Sequence, residues 1–131
     1  MIALDTNVLV RFLVEDDARQ SAAAAAIVER AVHADESLYV SPIVLCETVW
    51  VLAASYHVPR LDIAQTLREL LRAKHLTFDN SDLLARAIDA FATGRGDFAD
   101  YVIREDALAA GCTSVATFDR ALLREEGFTR P

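Results

Sequence analysis

The sequence predicts an α/β fold, rich in helix, around a central parallel sheet of four to five short strands. Three observations predict it. Short apolar runs recur at residues 2–4, 38–40, 76–78 and 114–116, with helical sequence between them. Such alternation gives parallel strands joined by right-handed crossovers. Gly and Pro are scarce, with four and three copies, which argues against disorder and against a loop-rich scaffold. The length of 131 residues and the 53% hydrophobic content suit one domain with one core, spanning residues 1–131.

The elements follow in order. Residues 2–4 read as a buried strand that stops at the polar cluster Asp5-Thr6-Asn7, and residues 7–14 as a short helix. Residues 18–34, with five consecutive alanines at 22–26, read as a close-packed helix. After the strand at 38–40, Ser41 supplies an N-cap and Pro42 the first helical position of a helix running to about Tyr56, which Val58-Pro59 closes. Asp62 starts a further helix with Ile63, Leu67, Leu70 and Leu71 at core spacing. The strand at 76–78 turns through Asp79-Asn80-Ser81 into a helix over 82–92, and residues 93–96 (Thr-Gly-Arg-Gly) read as the one clear flexible loop. Asp97 caps a helix to Ala110 that Gly111 terminates; a strand at 114–116, a short helix to about Glu125 and an edge strand at 127–129 complete the chain.

Composition removes several classes. No apolar stretch approaches the ~20 residues that span a bilayer, so no membrane segment is expected. The start shows no basic region followed by an apolar one, so no signal peptide is expected, and the chain reads as cytoplasmic. Cys46 and Cys112 lie among apolar neighbours, outside any CxxC or Cys/His pattern, and read as two buried thiols. The net charge of −7 argues against a nucleic-acid binder unless the acids cluster around divalent cations, which would reverse the local field.

Four acids stand out by context. Asp5 ends the first strand, Glu47 interrupts the apolar stretch 43–50, Asp100 lies in the first turn of the helix after the glycine loop, and Asp119 follows the fourth strand. In parallel sheets, ligands bind outside the carboxyl ends of the strands. The four carboxylates are therefore expected to converge at one sheet edge, where a divalent cation would relieve their repulsion. Each also has a structural reading: Asp5 and Asp119 as helix caps, Glu47 as a half-exposed helical acid, Asp97 with Asp100 as a capping-box variant. His33, His57 and His75 fall outside these segments and read as surface or helix-end residues. Arg95 in the glycine loop is a candidate phosphate contact, with Arg11 a weaker one.

These segments, DTNVLV at 5–10, SPIVLCE at 41–47, DFADYVI at 97–103 and TFD at 117–119, resemble in order the motifs of PIN-domain ribonucleases. The closest likeness is to VapC-type toxins of bacterial toxin–antitoxin pairs. The resemblance implies a three-layer α/β/α sandwich with a parallel sheet of about five strands, and cleavage of RNA with Mg²⁺ or Mn²⁺. By motif position it implies Asp5, Glu47, Asp100 and Asp119 as catalytic metal ligands, with Thr6 and Thr117 as hydroxyls that orient them. Tyr101 stands where the family commonly has Ala, a departure that leaves Asp97 as the alternative third ligand. The resemblance further implies an antitoxin protein covering the site and a homodimer; part of the apolar surface around Trp50, Val51, Tyr56, Leu67 and Leu71 is a candidate interface.

Two other classes compete. One is a catalytically inactive PIN-like module that only binds a partner protein; the intact four-acid set argues against it. The other is a phosphatase or phosphoacceptor on a similar sheet. A haloacid-dehalogenase-like enzyme needs a second acid two residues after the first, where this chain has Asn7, and a receiver domain needs an acid pair and a late lysine that are absent.

Overall fold

A computed structural model describes residues 1–131. The chain forms two compact units, Met1–Asp79 and Asn80–Pro131. The fold is α/β and helix-rich, and every strand pairing is parallel.

In the first unit, β1 (Ile2–Ala3), β2 (Leu38–Val40) and β3 (Leu76–Phe78) form a sheet in that order. The register pairs Ile2 with Leu38, Ala3 with Tyr39 and Tyr39 with Thr77. Between the strands run α1 (Thr6–Leu13), α2 (Ala18–Ala34), α3 (Pro42–Ala54) and α4 (Arg60–Arg72). The caps explain where these helices begin. Asp5, Asp17 and Ser41 accept from the backbone N–H of Val8, Gln20 and Val44, and Pro42 takes the first helical position of α3. The core gathers Leu9, Leu38, Val40, Leu45, Leu52, Ile63 and Leu67. Helix α4 starts two residues before Asp62, directly after Pro59, whose extended conformation serves as the cap.

In the second unit, α5 (Ser81–Thr93) packs on α6 (Phe98–Ala109), with Phe91 and Phe98 edge to face at 5.9 Å. Strand β4 (Val115–Ala116) pairs with β5 (Phe128–Thr129), and a 3₁₀ turn at Leu122–Arg124 lies between them. Helix α6 ends in a Schellman arrangement: Gly111 takes φ +95°, its N–H donates to the Leu108 carbonyl, and the Cys112 N–H donates to the Ala107 carbonyl. Buried Glu105 accepts from Arg86 at 3.0 Å and Arg104 at 3.1 Å, and the Arg104 guanidinium stacks over Tyr101 and Phe128.

The five strands pair as a three-stranded and a two-stranded sheet. Several expectations need correction. Strand β1 is not buried, since Ile2 is 65% exposed and only the following Leu4 enters the core. Cys112 is exposed and Cys46 partly so. The glycine loop is packed: Gly96 is buried and its N–H donates to the Tyr101 hydroxyl at 2.9 Å. No helix is long and apolar enough to cross a membrane.

Candidate active site

The acids singled out in the sequence form two groups, one in each unit. In the first, Asp5 lies just past β1 and Glu47 one turn and a half into α3. Both are exposed, and both line a cleft of about 410 Å³ with Thr6, Asn7, Trp50 and Val51. The Thr6 hydroxyl donates to Glu47 Oε1 at 3.0 Å, joining helices whose bonded residues are 41 positions apart. Asp5 Oδ1 accepts from the Val8 N–H at 3.0 Å, so Asp5 caps α1 and faces the cleft at once. Glu47 is exposed and partnered by Thr6, and the buried polar residue of that stretch is Thr48. Burial, then the charge of Glu47, pushes the Cys46 thiol up to about 11.

In the second unit Asp100 is the centre. Its Oδ2 accepts from the Asp97 N–H at 2.8 Å, as the capping-box reading expects. Burial raises its pKa above the ordinary 3.8; the bond from the Asp97 backbone works against that rise, and the charges of Asp97, Asp119 and Glu125 add to it. Asp119 is exposed. Its Oδ1 accepts from the N–H of Ala121 at 2.9 Å and of Leu122 at 3.4 Å, and its own N–H donates to Thr117 Oγ1 at 3.0 Å. Thr117 thus fixes the backbone of Asp119, while Thr6 grips the carboxylate of Glu47 directly.

An acid with a folded pKa above its unfolded value destabilises the protein wherever it is ionised. That unfavourable contribution is full at neutral pH and vanishes below 3.8, where Asp100 is protonated in both states. Asp100→Asn keeps an oxygen for the Asp97 N–H. It is expected to raise the melting temperature of the metal-free protein at pH 7, with the gain shrinking as pH falls toward 4. Thermal melts across that range check it; an unchanged gain at acid pH would mean another cause.

In neither unit do three or more His, Cys, Asp or Glu side chains gather to enclose an ion. Each group instead presents two carboxylates and a hydroxyl. That all-oxygen set fits Mg²⁺ or Mn²⁺ in kind, because Mg²⁺ is usually held by one or two carboxylates plus waters and substrate phosphate. His33 and His57 are exposed, and His75 Nδ1 lies 3.1 Å from the Glu36 carbonyl, so none joins an acid group.

Arg11 is engaged elsewhere. Its guanidinium binds Asp16 at 2.7 Å, Gln20 at 2.6 Å and the Tyr56 hydroxyl at 2.9 Å, a clasp that holds the α1–α2 connection. Arg95 is exposed. Of the candidate interface residues, Leu67 is core and Trp50 is 49% exposed. Sequence reasoning missed Glu125 as a neighbour of Asp100, and placed Trp50 in a helical face without its cleft. It also passed over Arg120, Arg124 and Arg130, which line one cleft; their only signal is three arginines in the last twelve residues of an acidic chain.

Parallel strands joined by helices, with carboxylates just beyond β1 and β4, define an α/β protein of the kind that acts on ligands at strand ends. The PIN domain family model matches residues 2–126, and the chain belongs to that family. PIN domains are generally nucleases, enzymes that hydrolyse phosphodiester bonds. No curated protein matches the chain significantly.

Proposed function

We propose that this chain is a metal-dependent endoribonuclease and the toxin of a type II toxin–antitoxin pair. The observation that carries the reading is the cleft in which Thr6 orients Glu47 beside Asp5, within a chain that matches the PIN model through both units. We read the two units as one PIN-like domain. By motif likeness Asp5, Glu47, Asp100 and Asp119 carry the metal-binding and catalytic roles.

Asp5 and Glu47 would hold Mg²⁺, or Mn²⁺, and the motif likeness names Asp100, in preference to Asp97, as a further metal ligand of the chain. Asp119 orients the attacking water or serves a second ion. A bound divalent ion supplies an acidified water and offsets charge on the phosphoryl oxygens. Thr6 fixes the direction of the Glu47 carboxylate, a task outer hydrogen-bond partners perform at metal sites generally. The cap bond from Val8 fixes Asp5, and the Asp97 N–H favours the ionised form of Asp100 against its burial. The cognate antitoxin, a homodimer and a cytoplasmic location complete the reading, on the strength of the motif likeness.

The test uses the purified chain and end-labelled RNA. Cleavage is expected with Mg²⁺ or Mn²⁺, none with a chelator, and recovery when the ion is restored. Calorimetric titration with Mn²⁺ is expected to show binding. A chain that binds no Mn²⁺ and cuts no RNA is the inactive protein-binding module instead.

A further inference from the structure

An acidic protein that acts on RNA needs a local source of positive potential, because phosphate contacts dominate nucleic-acid affinity. This chain has 13 basic residues against 20 acidic ones. Four of the basic residues, Arg11, Lys74, Arg86 and Arg104, are tied to acids. The Arg11 clasp removes one of the two phosphate contacts the sequence suggested.

We propose that the cleft lined by Arg120, Leu123, Arg124, Phe128, Thr129 and Arg130 binds the sugar–phosphate backbone of single-stranded RNA. It has a volume of about 540 Å³ and lies wholly within the second unit. None of its three guanidinium groups is ion-paired. Two acids of the same segment are committed elsewhere: both Glu125 carboxylate oxygens accept from the Tyr101 hydroxyl, at 2.8 and 2.7 Å, and Asp119 Oδ1 accepts from two backbone N–H groups. The arginines thus keep their charge for an outside partner.

The fold explains why they meet. Arg120 lies two residues before the 3₁₀ turn and Arg124 is its last residue, and the parallel pairing of β5 with β4 returns Arg130 to the same cleft. Planar guanidinium groups match phosphate oxygens in a two-pronged geometry. Phe128 lines the cleft, and Phe118, two residues before Arg120, is 88% exposed. Arginines beside an aromatic side chain suit a single strand, whose phosphates meet the guanidinium groups and whose bases stack on exposed rings.

The choice of RNA rests on the nuclease reading, so the test separates the two. A fluorescein-labelled single-stranded RNA oligonucleotide is titrated with the full chain in chelator, where no cleavage intervenes, at several salt concentrations. For single strands each phosphate contact contributes about −0.7 to the slope of log K against log salt, so R120Q/R124Q/R130Q is expected to flatten the slope by about 2 and weaken binding roughly tenfold or more. Each single variant is expected to flatten it by about 0.7, which preserves the test if the triple variant folds poorly. Unchanged affinity and slope in the variants would overturn the cleft assignment and leave the nuclease reading untouched. Displacement of the RNA by polyglutamate at equal charge would overturn it in favour of an acidic protein partner. Arginine-dependent binding by a chain that cleaves no RNA with any divalent ion would uphold the cleft and sink the nuclease reading.

Discussion

Asp5→Asn is expected to abolish metal-dependent RNA cleavage and leave the fold standing. The two effects separate because the proposed function gives Asp5 a task beside its observed cap. As a cap it needs only an oxygen for the Val8 N–H, and Asn serves about as well as Asp at that position. In the proposed metal-binding role it would need the charge, which Asn lacks. Loss of an ion that contributes several kcal/mol to the transition state lowers the rate by at least about 10³-fold. Asp5→Ala removes both functions and is expected to cost about 1 kcal/mol of stability in addition. The checks are RNA cleavage under single-turnover conditions and denaturant melts of the three proteins. Cleavage at the parental rate by the Asn variant would remove Asp5, and with it the metal assignment, from the mechanism.

Gly94→Ala is expected to be the most damaging small substitution in the second unit. A Cβ there would overlap the Tyr101 hydroxyl and stand 2.7 Å from Glu125 Oε1. That hydroxyl accepts from the Gly96 N–H and donates to Glu125, and Tyr101 is fully buried, so it cannot swing aside. Overpacking of this kind costs ~1–3 kcal/mol, and disturbing two hydrogen bonds adds about 1 kcal/mol each. Tyr101→Phe removes the nearest colliding atom and leaves the ring carbon Cζ, 2.7 Å from that Cβ, in place. The double variant is therefore expected to be more stable than the sum of the single losses predicts, with a coupling of about 1 kcal/mol or more in urea unfolding. Plain additivity would place the collision on the ring carbon Cζ, which Phe keeps.

The same pair of residues shows where sequence reasoning stops. Two glycines in four residues read as freedom, but the backbone there is held close to a buried ring. The reason lies in Tyr101, five to seven residues away and on the next helix. Local chemistry was legible. Ser41-Pro42 opens α3, Asp97 precedes α6 and Gly111 closes it, because caps depend on a few adjacent residues. Sheet membership was less so. Strands of two or three residues carry little pattern, and their pairing is decided by partners some 13 to 38 residues distant.

The candidate site divides along the same line. Each acid was visible because a carboxylate at a strand end or in an apolar helix interrupts its surroundings. What each one touches was not. The bond from Thr6 to Glu47 crosses 41 residues, and the partner that occupies Arg11 from Tyr56 lies 45 away. The capping readings for Asp5, Asp100 and Asp119 also describe real hydrogen bonds. For Asp5 the cap bond and the cleft involve the same side chain, so the structural and functional readings were never exclusive.

Trp50 is the chain's one tryptophan, and it is half-exposed on the wall of the cleft that holds Asp5 and Glu47. Indole emission shifts and dims with the polarity and charge around the ring. The protein therefore carries an intrinsic optical reporter at this position. Whatever enters the cleft, whether an ion, a nucleotide or a side chain from another polypeptide, registers without a label and before any bond is cut.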